Sequence, residues 1–556
     1  MSDTLDDYLA SHESLLPELA GENKVRQFPL RLPDVPVGRE LGQVLLEIPM
    51  VFPENASARI RLSPENVLKI PHIDSDGKLC IDDGDPGSLS GASPIERIGQ
   101  LIDVFFDRFL YPWCAGELDN NFSAEAQNYW EIHCNRSSSP HDAVTKVYTL
   151  GGRHTCPRIY YAKYLAGLRI VILDSDTVPE LSNRFISAMG QRQQLRQVLV
   201  ADIPISYPLT PDTWSRDQAG LERLLHMRLG GDVARNFLSV KGHRKRSMHR
   251  IVILRAPDCS FGFLLSGGPP TVVYRGYSPC AYYKKKLLPL MVERLDPNWT
   301  CGRDQHPEVN RRQQQHVLVI GAGALGSPVI EQLAKAGIGS VTIVDQDILS
   351  TANIGRHVLG ADAIDRSKAT MLARQFAIRW PSCTFTPVPN SIQQWLMKNN
   401  LSNVDVVLDL TGEPTVRLSI DVARKQHSCA LLIGWMEPYV AAAHACLLPR
   451  DYPWIISSVD CLEALQAVTW PDDVMQHEPS CSSVFQSYTP AAATHAVALV
   501  AEAALDLLDE KIKYPLVRDW VRGQKFLDTH RPGLSLRPWA IDATQFDGVS
   551  MERPYV

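Results

Sequence analysis

Apolar and polar residues alternate along Ala58-Arg-Ile-Arg-Leu62, shortly after the apolar run Val44-Leu-Leu-Glu-Ile-Pro-Met-Val-Phe-Pro53. A period of two predicts strands there. Between Ile95 and Leu110 the period lengthens, and Ile98, Leu101, Ile102, Phe105, Phe106, Phe109 and Leu110 share one helical face. Ser123 to Ile132 reads as a second helix with Ser123 at its N-cap. Strands followed by helices predict an α+β domain over residues 1–135. The polar break Arg136-Ser-Ser-Ser-Pro-His141 predicts a linker. Strand-like runs at 168–174, 197–201 and 250–255, with helical stretches between them, predict an α/β middle domain over 142–310. From His316 onward strand, glycine turn, helix and strand alternate, which predicts a doubly wound α/β domain over 311–556.

Composition narrows the class. The 556 residues, 45% hydrophobic and 21% charged, suit about three or four globular domains. Lys and Arg number 56 against 62 Asp and Glu, and a net charge of −6 does not suit a protein that coats nucleic acid. No window reaches about 18 uninterrupted apolar residues. The best candidate, residues 491–508, carries His495, Glu502 and Asp506. An acidic N-terminus with no apolar stretch behind it predicts a cytoplasmic chain with no membrane partner. The 12 Cys include no C-x-x-C pair, so no ribbon-type zinc site is expected and most thiols should be free. The basic runs at 241–250 and 284–286 read as solvated faces, and no nucleic-acid partner is expected.

The first motif with chemistry is Val317-Leu-Val-Ile-Gly-Ala-Gly-Ala-Leu-Gly326, a strand followed by G-x-G-x-x-G. Gly321 permits the tight turn, Gly323 lets backbone approach a phosphate, and Gly326 lets the helix pack on the strand. The helix N-terminus offers N–H donors to an anion. The next strand ends in Asp345, whose carboxylate can accept ribose hydroxyls. Alone, this pattern also fits a nicotinamide or flavin dehydrogenase. Behind the loop, however, Asp347, Asn353, Arg356 and Lys368 follow in order. Hydride transfer has little use for extra cations. Cleaving ATP between its α- and β-phosphates does, because charge builds up on the departing pyrophosphate.

In this order the residues resemble the ThiF/MoeB and ubiquitin-activating family, which adenylates protein C-termini. The shared elements are the glycine loop, D-x-D, N-x-x-R, a lysine and a strand ending in Asp, here Val404-Asp-Val-Val-Leu-Asp409. The resemblance covers about Arg303 to Leu508 and implies a Rossmann-like adenylation domain that uses ATP and Mg²⁺. It implies Asp345 and Asp347 at the nucleotide, with Asn353, Arg356 and Lys368 on its phosphates. The family's D-x-T-D-N reads Asp409-Leu-Thr-Gly-Glu413, and Gly412 cannot ligate a metal. Asp409 or Glu413 would serve instead, since Mg²⁺ needs only one or two carboxylates beside phosphate oxygens and water. In the family an arginine ahead of the first strand reaches the site of a dimer partner. That implies a homodimer and draws attention to Arg303, Arg311 and Arg312.

Two thiols stand out. Cys481 lies in Glu478-Pro-Ser-Cys-Ser-Ser-Val-Phe-Gln-Ser-Tyr-Thr-Pro490, ahead of an apolar helix whose N-terminus would favour thiolate. Autophagy-type activating enzymes carry a similar stretch, and the resemblance makes Cys481 the acceptor of the activated acyl group, with Cys446 and Cys461 as fallbacks. Cys80 lies in Pro71-His-Ile-Asp-Ser-Asp-Gly-Lys-Leu-Cys-Ile-Asp82, where Asp-Gly predicts a turn that presents the thiol. With Phe52-Pro53 and the stretch Leu118 to Ala126, residues 41–132 resemble a ubiquitin-conjugating enzyme, whose cysteine carries an acyl group. The family's H-P-N reads Ile70-Pro71-His72, so His72 stands at the Asn position, either donating to an oxyanion or serving structure.

The domain order resembles bacterial fusions of a ubiquitin-conjugating-like and an activating-like domain found in anti-phage cyclic-oligonucleotide (CBASS) operons. The resemblance implies adenylation of a protein C-terminal carboxylate, a thioester on Cys481, exchange to Cys80 and attack by an amine of a target protein. The activated protein would carry a glycine-type tail, as a cGAS-like nucleotidyltransferase or a ubiquitin-like protein. Two readily ionised thiols are expected. Two alternatives stay open: adenylation of a sulfur carrier with Cys80 dispensable, and a nicotinamide-dependent oxidoreductase that binds NAD without turning over ATP.

Overall fold

The structure, a computed structural model, describes all residues except 1–3, 21–23, 82–91, 138–145, 151–153, 166–169, 173–194, 240–249, 276–277, 455–459, 475, 478–483, 486–487, 532, 547 and 556. Packing divides the chain into two units, residues 1–148, 153–172 and 194–293, and residues 149–152, 173–193 and 294–556.

In the first unit, Val25–Pro29, Val44–Pro49 and Arg59–Leu62 form an antiparallel sheet. Val44, Leu46, Ile48, Ile60 and Leu62 are buried, as the alternation requires. The helix Pro94–Val104 opens with a Ser93–Glu96 capping box and passes into a π-helical turn, Phe105–Leu110. Ser123 is not an N-cap. Phe122 is buried with its ring 4.8 Å from Tyr129, and that packing starts a helical turn at Asn121–Ala124, ahead of the longer helix Ala126–Ser137. The longer helix also runs through the start of the expected linker, because Trp130, Ile132 and Cys134 are buried along it. Trp130 lies 5.0–5.3 Å from Phe263, Phe261 and Trp214, and its Nε1 donates to the Leu290 carbonyl at 2.9 Å. The N-terminal elements therefore share one core with the middle segment. That segment is a seven-stranded sheet in which Leu195–Pro204 runs parallel to Arg250–Arg255, while Arg158–Leu165, Ser260–Arg275 and Ser278–Arg294 pair antiparallel with their described neighbours.

The second unit is built on an eight-stranded sheet. Five parallel strands come in the order Thr384–Val388, Ser340–Val344, His316–Ile320, Val406–Asp409, Ala430–Met436. Ala442–Leu448, Leu516–Val521 and Val549–Pro554 extend it antiparallel. Val317 and Val319 pack into one core and Leu318 and Ile320 into another, so both faces are covered, as a parallel sheet requires. The helix Pro490–Leu508 is long and apolar enough to cross a membrane, but half of that stretch is buried, with Ala496, Val500 and Ala503 in the core.

Candidate active site

The order of the parallel strands reverses between His316–Ile320 and Val406–Asp409, and doubly wound sheets bind ligands at such a switch point. A cavity of about 490 Å³ lies there. Gly321, Gly323, Asp345, Asp347, Lys368 and Glu413 line it, together with Asn390, Gln393 and Thr411, which the sequence did not single out. Gly321 has φ +85°, open to glycine at little cost. A Cβ at Gly326 would lie 1.9 Å from the Gly321 carbonyl oxygen, so only glycine lets the helix start against the strand. Gly323 faces open space.

Asp345 Oδ2 accepts the Ala322 N–H at 2.7 Å and Oδ1 accepts the Asp347 N–H at 2.8 Å. Each oxygen keeps a lone pair for a hydroxyl. Burial raises the pKa of this carboxyl, against the pull of those two N–H groups. Lys368, nearly buried at the start of the helix Lys368–Arg379, donates from Nζ to Asp347 Oδ2 at 2.9 Å. Asn353 and Arg356 do not line the cavity. Asn353 Oδ1 accepts the Ser350 N–H at 3.1 Å, and the Arg356 guanidinium lies 5.9 Å over the Tyr488 ring.

His357 was missed, and its one signal was adjacency to Arg356. Its Nδ1 accepts the Leu359 N–H at 3.0 Å, so Nε2 carries the proton and donates to the Ala322 carbonyl at 2.6 Å. Burial pushes its pKa down to about 4. A neutral imidazole therefore clamps the glycine loop.

Asp409 is 1% exposed, and burial pushes its pKa up to about 6. Oδ1 accepts the Thr411 N–H and hydroxyl at 3.0 and 2.7 Å, while Oδ2 has no hydrogen-bond partner among the described residues. Among the described residues no three His, Cys, Asp or Glu side chains could hold a metal by themselves. An orphaned carboxylate oxygen beside a cavity with two further acids fits Mg²⁺ that takes its other ligands from phosphate and water. Arg311 and Arg312 are engaged by Glu510 and Asp509 of their own unit, whereas Arg303 is exposed and without an ion pair among the described residues. Cys481 lies outside the described residues. Cys446 is buried in a strand, and burial raises its thiol pKa. Cys461 is half-buried.

In the first unit, the turn at Asp74 to Gly77 presents Cys80. Gly77 has φ +87°, and a Cβ there would lie 2.6 Å from the Leu62 carbonyl oxygen. The Leu62 N–H donates to the Gly77 carbonyl and the Leu79 N–H to the Ile60 carbonyl, both at 2.9 Å. Leu79 is thereby buried and Cys80 left exposed. The Cys80 N–H donates to the His72 carbonyl at 2.7 Å, and the His72 N–H donates to the Tyr129 hydroxyl at 2.8 Å. Tyr129, fully buried, donates to Glu125 Oε2 at 2.9 Å. The Asn121 amide donates to His72 Nε2 at 2.8 Å, which leaves the proton on Nδ1, facing Glu125 Oε1 at 3.3 Å. Both ring nitrogens of His72 are thus occupied.

The Cys80 pKa is raised, contrary to the expected ready ionisation. The residue is exposed, yet loss of water around the sulfur is the largest cause. Lys78 opposes it, and Asp74, Glu125 and Asp76 reinforce it. Glu125 enters from a helix boundary that the sequence had not placed beside the loop.

Residues 303–515 match the ThiF family model. The second unit carries a ThiF-family domain. The ATP-dependent ubiquitin transferase-like protein Cap2 of Pseudomonas aeruginosa is 22% identical over 491 residues, 81% of this chain and 82% of that protein. The sulfur carrier protein ThiS adenylyltransferase of Escherichia coli is 32% identical over 166 residues, 30% of this chain and 61% of that protein. The molybdopterin-synthase adenylyltransferase of Salmonella typhimurium is 35% identical over 119 residues, 21% of this chain and 48% of that protein. The resemblance to bacterial activating-type fusions therefore runs along most of the chain. The chain is an ATP-dependent enzyme of the activating and ubiquitin transferase-like class, and its ThiF domain holds the switch-point cavity.

Proposed function

We propose that the ThiF domain adenylates a protein C-terminal carboxylate and that two thiols pass the acyl group to an amine. The carboxylate attacks the α-phosphorus of ATP and pyrophosphate departs. Asp345 holds the ribose, and Lys368 and the Gly323 backbone meet the phosphates. Asp409, Glu413 and Asp347 are the groups that would hold Mg²⁺, which neutralises charge on the phosphate oxygens. Cys481 then displaces AMP to form a thioester. Cys80, in a ubiquitin-conjugating-like domain, takes the acyl group by exchange, and fusion raises the effective concentration of this second thiol. A raised pKa suits that last position, because a more basic thiolate leaves more slowly and the thioester survives until an amine is seated.

The observation that carries this reading is the length of one match: 491 residues, more than twice the span of the ThiF domain. Both units have a counterpart in a protein whose name joins ATP to ubiquitin-like transfer. The activated protein carries a glycine-type tail, as a cGAS-like nucleotidyltransferase or a ubiquitin-like protein does, and the enzyme works as a cytoplasmic homodimer. The name of the ThiS adenylyltransferase relative favours a second reading, adenylation of a sulfur carrier without conjugation.

Intact mass and tryptic adducts of the Cys80→Ser variant, produced with its neighbouring genes, separate the two. The expected result is a protein joined through its C-terminus to the substituted residue as an ester, lost when Cys481→Ala is added. An unmodified mass with ATP present overturns the conjugating reading in favour of the sulfur carrier.

A further inference from the structure

We infer that Arg417 and Glu437 are positioning residues for acyl transfer to Cys481: they clamp the crossing segment 460–470, and the clamp sets where the arm that carries the thiol begins. The inference rests on the reading of Cys481 as the acyl acceptor. Cys481 belongs to residues 478–483, and the chain on either side of them is joined as an antiparallel pair, Gln476–His477 with Val484–Phe485. Four residues beyond Phe485, Thr489 caps the helix Pro490–Leu508 and accepts the Ala492 N–H at 3.2 Å. Four residues span at most about 14 Å, so the outgoing side of the arm stays close to a helix that is packed into the core. Within that radius, the incoming side decides where the thiol stands.

The incoming side is held at two points. At the first, Asp460 Oδ2 accepts from Arg417 Nε at 3.0 Å and Nη2 at 2.5 Å, and Oδ1 accepts the Trp454 indole N–H at 3.1 Å. Arg417 is buried on the first turn of the helix Pro414–Arg424, and Thr415 and Val416 of that turn line the nucleotide cavity. One turn of helix thus borders the nucleotide with two residues and grips the crossing segment with the next. At the second point, the buried Glu437 follows the strand Ala430–Met436. Its carboxylate accepts the N–H groups of Ala467 and Val468, the Trp470 indole N–H at 2.6 Å and His444 Nε2 at 2.8 Å. Charge-assisted bonds of this number hold a segment firmly. From Trp470 only six residues lead to Gln476, at most about 20 Å. Ala430–Met436 lies beside Val406–Asp409, so both clamps stand on elements that border the switch point. Neither Arg417 nor Glu437 lines the cavity, which leaves placement as their part.

In the step they serve, the Cys481 thiol yields its proton to water and the sulfur attacks the acyl carbon of the adenylate. The C–S bond forms, the C–O bond to AMP breaks, and AMP leaves with the electron pair. An error of about one ångström in such an approach costs about 10²-fold in rate. Adenylation itself, which needs only the cavity and the incoming carboxylate, does not depend on the arm.

The test uses the full chain with Cys80→Ala, which keeps the acyl group on Cys481, mixed with ATP, Mg²⁺ and the protein products of its neighbouring genes as the probe. ATP–pyrophosphate exchange reads adenylation, and a reductant-sensitive adduct in the intact mass reads the thioester. Asp460→Asn should slow thioester formation by about 10-fold or more while exchange stays within about twofold of the parent. Asp460→Glu, which restores the carboxylate, should recover part of the rate. Hydroxylamine, which intercepts the adenylate from solution, should consume it equally fast in parent and variant. Glu437→Gln turns an amide N–H₂ toward N–H donors and should give the same split between the two steps; should it fail to fold, Asp460→Asn carries the test alone. Equal thioester rates in parent and Asp460→Asn, or equal losses in exchange and thioester formation, overturn the assignment. If the parent shows no exchange, or no thioester that Cys481→Ala abolishes, the reading of Cys481 itself fails and takes the assignment with it.

Discussion

The glycine loop of the ThiF domain and the Cys80 loop of the first unit both present a reactive position on a tight turn, but from different materials. The glycine loop is set by backbone. Gly326 is required because its hydrogen sits where any Cβ would strike the Gly321 carbonyl, and the Ala322 N–H and carbonyl are held by Asp345 and His357. The Cys80 loop shares one backbone requirement, at Gly77, and adds to its backbone hydrogen bonds a network of distant side chains. His72 is bonded to Asn121 and Tyr129, which lie 49 and 57 residues further along. A backbone motif is compact in sequence because neighbours make it. A side-chain network is scattered because only folding brings its members together.

The largest expected effect separates two glycines of the same loop. Gly326→Ala should lower the unfolding temperature and cut ATP–pyrophosphate exchange by more than about 10²-fold, as displacement of reacting groups by an ångström does. Gly323→Ala, which meets nothing within 4 Å, should keep the unfolding temperature and lose exchange alone. Equal destabilisation by both would break the account of the loop as a set of distinct backbone constraints.

A smaller effect probes the side-chain network. Tyr129→Phe strips the His72 N–H of its acceptor and Glu125 of a donor. An unsatisfied group of this kind costs about 1–3 kcal/mol, readable in urea unfolding. Unchanged stability would mean that the Cys80 loop is held by its turn and backbone hydrogen bonds without the side-chain network.

The smallest effect is a pair of opposed pH dependences within the ThiF domain. His357 has its pKa lowered from 6.5 to about 4, so its contribution to stability is present above pH 6.5 and lost as pH falls toward 4. His444 is buried, with Nδ1 2.5 Å from Asp519 Oδ1 and Nε2 2.8 Å from Glu437 Oε1, and Arg553 pairs with the same Asp519. Two carboxylate acceptors make it an imidazolium. Burial opposes that charge, but the two carboxylates raise the pKa above 6.5. Its contribution is fully present below pH 6.5 and lost as pH rises through the folded value. Thermal unfolding against pH should show His357→Gln flattening the acid side and His444→Gln the alkaline side. If both variants flatten the same side, one of these protonation states is wrong.

Much of both sites was legible beforehand, for reasons visible in particular residues. Gly321, Gly323, Asp345, Asp347 and Lys368 line one cavity because strand, turn and strand carry them to one edge of the sheet in sequence order. The same reading put Asn353 and Arg356 at the nucleotide, and neither lines the cavity: one closes its own turn and the other lies over Tyr488. Short polar side chains have local partners as well as distant ones, and spacing does not choose between them. Asn390 and Gln393 went unread because amides beside a helix start carry no pattern of their own.

By itself the sequence determined where chain direction and glycine geometry leave one solution: the doubly wound sheet, the loop at its switch point and the turn that exposes Cys80. Tertiary structure decided what depends on groups far apart along the chain. Trp130 merged the N-terminal elements and the middle segment into one core, because a large ring needs neighbours that its own helix cannot supply. Glu125, Asn121 and Tyr129 closed around His72, and with that the charge environment of Cys80 was set toward the thiol. Local periodicity encodes the backbone. The field at a sulfur atom is a sum over everything packed near it, and only the folded chain fixes that sum.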